Sequence, residues 1–185
     1  FRLLDTPQPE DPYYARDNRI KAVFPHNILL PELPDSIAIT RYPAALKSLT
    51  PCFQKLFKLG ALVIPRLPIP ITAYLDLDRI SSSKEIMDLF YSDPIGRTTY
   101  PLIFMSSLFT ADLSRLGDGS IQCPVVVIAS RGDRLFPYDY TRQVYERITA
   151  PHKEMLLFDE PYHLIFQECI DRILDPIVER LKTYA

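Results

Sequence analysis

Asp133 and His163 are distinguished by residue type, by spacing and by what precedes each of them. Asp133 closes the turn Ser130-Arg131-Gly132-Asp133 after the apolar run 124–129. His163 ends Pro161-Tyr162-His163 after a second apolar run, 154–158. An acid and a base therefore follow two successive strands, 30 residues apart. Ligands and catalytic groups in open α/β sheets gather at the carboxyl ends of strands, so both side chains are expected on one rim. A carboxylate that fixes a histidine tautomer, beside a histidine that takes a proton from a nucleophile, makes two parts of a Ser-His-acid relay. The third part, a serine on a G-x-S-x-G elbow, is not found. None of the five glycines (Gly60, Gly96, Gly117, Gly119, Gly132) frames one.

Other reactive side chains read more plainly. Arg131-Gly132-Asp133 spells an adhesion-type tripeptide, but a match that short is better taken as the acid turn. Cys52 and Cys169 fall on helical faces and are expected in the core. Cys123 starts a strand, and none of the three stands on an elbow beside His163. Ser81, Ser82 and Ser83 read as a helix cap and a solvated loop, and Ser106 and Ser107 lie within a predicted helix. His26 and His152 read as structural or exposed. They have no partners at metal-ligand spacing, so no metal and no cofactor are expected.

The elements that must position the pair follow from hydrophobic periodicity. Residues 20–24, bounded by Asn18-Arg19 and Pro25, suit a buried strand, and residues 13–18 the last turn of a helix. Residues 25–41 form an excursion broken by Pro25, Pro31 and Pro34. A helix is expected from about Pro43, with Leu46, Leu49, Phe53, Leu56 and Phe57 at helical spacing, split near Pro51 and capped by Gly60. Residues 61–79 read as a proline-rich connector. Ser81–Ser83 caps a short helix through Ile86, Leu89 and Phe90, and another helix covers 98–115. Residues 124–129 are β-branched, as in a strand covered on both faces. Residues 137–149 are helical, with Tyr140, Val144 and Ile148 in register, and 154–158 form a strand. The stripe Ile170, Ile173, Leu174, Ile177, Val178, Leu181 marks a C-terminal helix kinked at Pro176.

That order predicts α/β architecture: part of a parallel sheet with a helical insertion at 30–115. Three strands are few, and 20–24 would present an open apolar edge. The chain also begins with Phe rather than Met. More protein, either a missing N-terminal half or an oligomer partner, is expected to cover that edge.

Composition sets the outer limits. The 185 residues suit one domain, and 47% hydrophobic with 24% charged residues describes a globular chain. A net charge of −2 gives no reason to expect nucleic acid or an anionic membrane surface as partner. Residues 1–14 lack an apolar signal region, and the most apolar window, 59–75, is too short and too proline-broken to span a membrane. Three unclustered cysteines fit a reducing, cytoplasmic compartment.

Residues 121–168 also carry a resemblance. IQCPVVVIASRGDRLFP, then HKEMLLFDEPYHLIFQE, resembles the C-terminal part of the α/β-hydrolase superfamily, in particular its lysophospholipase, monoglyceride lipase and serine aminopeptidase-like branch. Two positions depart from the pattern: Ser130 stands where that branch usually has Gly, and Tyr162 where a Gly often precedes the histidine. The resemblance implies that Asp133 is the relay acid and His163 the general base. It implies that 1–29 is the end of the nucleophile helix with the strand after it, 30–115 a helical cap, and 116–185 the C-terminal core with the acid and histidine loops. It also implies a serine esterase acting by acyl transfer on an ester or lipid-like small molecule, with the serine supplied from outside this chain. Two other expectations are compatible with the same residues. One is a non-catalytic binding protein of the same lineage, and the other a half that pairs with a separate nucleophile-bearing chain.

Overall fold

The computed structural model describes residues 20–94 and 96–185. The helix turn expected at 13–18 lies outside the described residues. Segment 23–26 runs parallel to a later strand: Val23 bridges Val125 and His26 bridges Ile128. The backbone bonds run through Pro25, whose carbonyl accepts from Ile128 N at 2.9 Å. Proline can accept in a ladder although it cannot donate. The pairing thus continues past the expected end of the strand and carries His26 and Asn27 to the same rim as the acid turn.

The excursion opens with a 3-10 turn at Pro34–Ile39 and a second at Ala44–Leu49, which leads into helix α1, Thr50–Val63. Pro51 marks the join, as expected, because it sits in the first turn of α1, where its missing N–H costs nothing. Gly60 lies inside α1 and is not its cap. A Cβ there would come within 2.9 Å of Leu102 Cδ2, so the glycine serves close helix packing.

The connector at 61–79 contains more structure than its prolines indicate. Strand β1, Pro68–Pro70, is followed by short 3-10 turns at Ile71–Ala73 and Leu77–Arg79. Helix α2, Lys84–Ser92, is capped by the Ser83 side chain. Strand β2, Thr99–Pro101, pairs antiparallel with β1, and helix α3, Leu102–Phe109, follows directly. The expected helix over 98–115 is therefore half that length, because Pro101 ends a strand and starts the helix. Met105, Ile71, Tyr74 and Leu77 form a local core between these pieces.

The sheet that bears on chemistry comes last. Strand β3, Val125–Ser130, is buried at every residue, and its β-branched run suits a strand covered on both faces. Helix α4, Tyr138–Arg147, packs Tyr140 and Val144 beneath it, with Ile148 just beyond. Strand β4, Lys153–Phe158, pairs parallel with β3 from Val125↔Lys153 to Ser130↔Phe158. β3 is thus flanked by segment 23–26 on one side and β4 on the other. The chain then forms one helical turn, α5, Ile165–Glu168, and the longer α6, Ile170–Lys182. The break falls at Cys169 rather than at Pro176, through which α6 continues. Ile165, Ile173 and Ile177 pack on Ile128, and each fully buried aliphatic side chain contributes about 1.5–3 kcal/mol.

Candidate active site

Asp133 and His163 meet at the carboxyl rim of β3 and β4. His163 Nδ1 lies 2.9 Å from Asp133 Oδ2. The other carboxylate oxygen, Oδ1, accepts from Leu135 N at 2.7 Å and Phe136 N at 2.8 Å. Two backbone donors therefore fix the carboxylate, and its free oxygen faces the ring. Asp133 is 6% and His163 8% exposed, so little water competes for the pair. The Phe136 ring stacks on His163 at 5.3 Å between centroids and 15° between planes.

The two loops are joined along their backbones. Arg131 N donates to Phe158 O and Gly132 N to Glu160 O, both at 2.9 Å. Ser130 Oγ also donates to the Glu160 carbonyl, so the departure from glycine there adds a cross-loop bond. Gly132 is required by proximity: a Cβ would lie 2.7 Å from Pro161 Cα and 3.0 Å from Glu160 O, both backbone atoms. The Glu160 side chain pairs with Arg172 of α6 at 2.7 and 2.8 Å, fixing the histidine loop from outside. The Tyr162 hydroxyl and that carboxylate, in this order, push the Arg172 guanidinium still higher. Arg79 braces the acid loop from the far side. Its guanidinium donates to the carbonyls of Arg134 at 2.7 Å, Thr40 at 3.1 Å and Leu135 at 3.5 Å.

Two residues that sequence reasoning did not single out for chemistry join the pair. His26 is half-buried and presents a nitrogen to each of two carbonyls, Nδ1 to Ile128 O and Nε2 to His163 O, both at 3.1 Å. Asn27 adopts φ 55°, the left-handed conformation that asparagine tolerates. Its Nδ2 donates to His163 Nε2 at 3.2 Å. An amide N–H can only donate, so Nε2 must offer its lone pair and the proton must sit on Nδ1, facing Asp133. Both neighbours of the ring thus select the one tautomer in which Nε2 can act as a base. The sequence signal was available: Asn27 follows the strand at 20–24 as Asp133 follows β3.

Other sequence expectations resolve here. Cys123 and Cys169 are buried, but Cys52 is exposed on α1 and is not a core residue. Burial, with the Glu160 carboxylate adding to it, pushes the Cys169 thiol up, away from nucleophilic use. Ser81 is buried rather than solvated, and its hydroxyl donates to Glu168 Oε1 at 2.7 Å. His152 is exposed beside Glu154. No group of three or more potential metal ligands occurs among the described residues.

A parallel sheet whose adjacent strands end in a buried acid and a histidine bonded through Nδ1 defines an α/β-hydrolase. The family model described as serine aminopeptidase, S33 matches residues 37–170, 134 of the 185 residues, and the chain belongs to that family. The fold also matches solved structures. A monoacylglycerol lipase from Paleococcus ferrophilus aligns at TM-score 0.57 and 20% identity, over 72% of this chain and 52% of that one. A soluble variant of the monoglyceride lipase from Saccharomyces cerevisiae, in complex with a substrate analog, aligns at 0.58 and 19%, over 80% and 54%. The chain spans about half the length of these structures. No curated protein matches it.

Proposed function

We propose that this chain supplies the acid and the general base of a serine-type ester hydrolase. The observation that carries the reading is the hydrogen-bonded chain from Leu135 N and Phe136 N, through Asp133, to His163 Nδ1. The serine and the oxyanion donors belong to protein outside these 185 residues. In the complete site His163 Nε2 takes the serine proton as the hydroxyl attacks the ester carbonyl. The imidazolium so formed is held by Asp133, and its proton then passes to the leaving alcohol. Water repeats the cycle on the acyl-enzyme. Nδ1 keeps its proton throughout, and Asp133 remains a carboxylate.

Residues 30–115 act in this reading as a cap over the core. They carry a half-open pocket of about 170 Å³ lined by Phe53, Phe57, Phe109, Tyr42 and Tyr74. A space of this size and lining suits one short alkyl or aryl group.

The Asn27 contact favours a second reading. Asn27 already donates to the nitrogen that would serve as base. In a binding protein of this lineage that contact is permanent; in a hydrolase Nε2 must also be reachable by the serine hydroxyl. A fluorophosphonate probe separates the two. Covalent labelling of the complete gene product, or of a chain that co-purifies with this one, is expected. A folded, complete product that takes up no label identifies the binding protein.

A further inference from the structure

Asp133 owes its orientation to two peptide N–H groups, and those peptides have a second partner. Leu135 N–H belongs to the same peptide unit as the Arg134 carbonyl, and Phe136 N–H to the same unit as the Leu135 carbonyl. The N–H ends meet Asp133 Oδ1 at 2.7 and 2.8 Å. The carbonyl ends meet Arg79: Nε donates to Arg134 O at 2.7 Å and Nη2 to Leu135 O at 3.5 Å. Both peptides are trans, so N–H and C=O point in opposite directions. Each unit is therefore set head to tail between a guanidinium and a carboxylate.

This arrangement is favourable at both ends. A peptide carries a dipole of about 3.5 D, negative at oxygen and positive at N–H. The cation faces the negative end and the anion the positive end. Hydrogen bonds in such a chain polarise one another, by roughly 10–30% per bond. The Arg134–Leu135 unit, with 2.7 Å at each end, carries the stronger link. Asp133 is buried, so little water competes with either donor.

Arg79 is itself held in place. It ends the 3-10 turn Leu77–Arg79, which the Asp76 side chain caps by accepting from Asp78 N. Its Nη1 donates to Thr40 O at 3.1 Å. Among the described residues its hydrogen bonds all go to backbone carbonyls, so its charge is directed at peptides. The next residue, Ile80, packs on the sheet core that holds Leu135 and Phe136 and also on the local core around Met105. Beyond it, Ser81 donates to Glu168 Oε1, in the helical turn that follows His163. One short segment of the insertion 30–115 thus touches the acid loop and the turn after the histidine.

We propose that Arg79 is a positioning residue for Asp133. It aims the Leu135 and Phe136 N–H groups at Oδ1 and so keeps Oδ2 turned to His163. The inference rests on the relay reading only for the use to which Asp133 is put. It adds that the insertion, and not the sheet alone, sets the acid.

The test compares the complete gene product with its Arg79→Gln variant. Amide exchange at Leu135 and Phe136 is followed by NMR against Val126 and Ile128 of β3, and kcat and KM are measured on a short-chain p-nitrophenyl ester. In Arg79→Gln the two acid-loop amides are expected to exchange at least about tenfold faster, the equivalent of one hydrogen bond to a charged group. Val126 and Ile128 are expected to keep their rates, whereas a variant that merely loosens the protein speeds all four together. On the ester, kcat is expected to fall on the order of 10²-fold at unchanged KM. Arg79→Lys keeps the charge but not the fork, and gives the same comparison with smaller losses if Arg79→Gln does not fold. Acid-loop amides that keep their parent rates, or that speed up only together with those of β3, overturn the proposal. So does an active parent whose variant keeps its kcat. A parent that hydrolyses no ester, while its acid-loop amides respond as expected, overturns the hydrolase reading and leaves Arg79 as the residue that positions Asp133.

Discussion

Replacing Asp133 by Asn tests the site at the level of single protons. The new side-chain amide can be oriented in two ways. With its oxygen kept toward Leu135 N and Phe136 N, both backbone bonds survive. The reverse orientation sets an NH₂ against two backbone donors and leaves them unpaired in a buried site, at about 1–3 kcal/mol each. The first orientation therefore holds, and the amide nitrogen faces His163 Nδ1 across the present 2.9 Å. Two donors cannot face each other, so the ring proton must move to Nε2. There it meets Asn27 Nδ2, now also donor against donor at 3.2 Å. Folding loses one charge-assisted bond, about 1.5–3 kcal/mol, while the base is lost altogether. In the complete protein kcat is expected to fall on the order of 10⁴-fold, as for the same exchange in a serine-protease relay. Histidine ¹⁵N spectra of this chain report the tautomer directly: Nε2 of His163 is unprotonated in the parent and protonated in Asp133→Asn. An unchanged spectrum, or activity within tenfold of the parent, would refute the reasoning.

Two glycines are expected to respond oppositely to alanine. Gly132→Ala meets the backbone of Pro161 and Glu160, which cannot move aside without breaking the cross-loop bonds, and should cost about 1–3 kcal/mol in urea unfolding. Gly60→Ala meets only the tip of Leu102 and gains up to about 1 kcal/mol of helix propensity, so stability should hold or rise. Burial pushes the Tyr140 phenol up to about 12, against an ordinary 10. Its stabilisation is complete below pH 10 and disappears as pH rises through 12, at most about 2.7 kcal/mol. Tyr140→Phe should reduce that alkaline loss. It should also cost about 1–3 kcal/mol at neutral pH, because Leu30 N loses a 2.8 Å acceptor.

The parts legible in the sequence were those where one physical signal dominates. Val125–Ile128 is β-branched without interruption, and only a strand covered on both faces uses such a run. Tyr140, Val144 and Ile148 repeat at four residues and face one core. Asp133 and His163 could be paired because each follows a strand, and the structure brings them within 2.9 Å. The less legible parts depend on distant contacts. His26 and Asn27 reach His163 across 137 and 136 residues, and their one local sign, a place just after a strand, does not name that partner. The short ladder of β1 and β2 pairs proline-bounded segments, Pro68↔Pro101 at one end, where local preference argues against a strand. Cys52 fell on the wrong face because α1 carries apolar residues around most of its circumference, so periodicity alone could not say which face is inward.

The relay itself is tested most directly by one comparison. Hydrolysis of a short-chain p-nitrophenyl ester is measured for the complete gene product and for its His163→Ala variant, with unfolding curves recorded for both. The expected result is loss of at least three orders of magnitude in kcat, on the order of what removal of a relay base costs, with the cooperative unfolding transition retained. An ester hydrolysis rate unchanged by His163→Ala in the folded protein would contradict the assignment of His163 as base and, with it, of Asp133 as its acid.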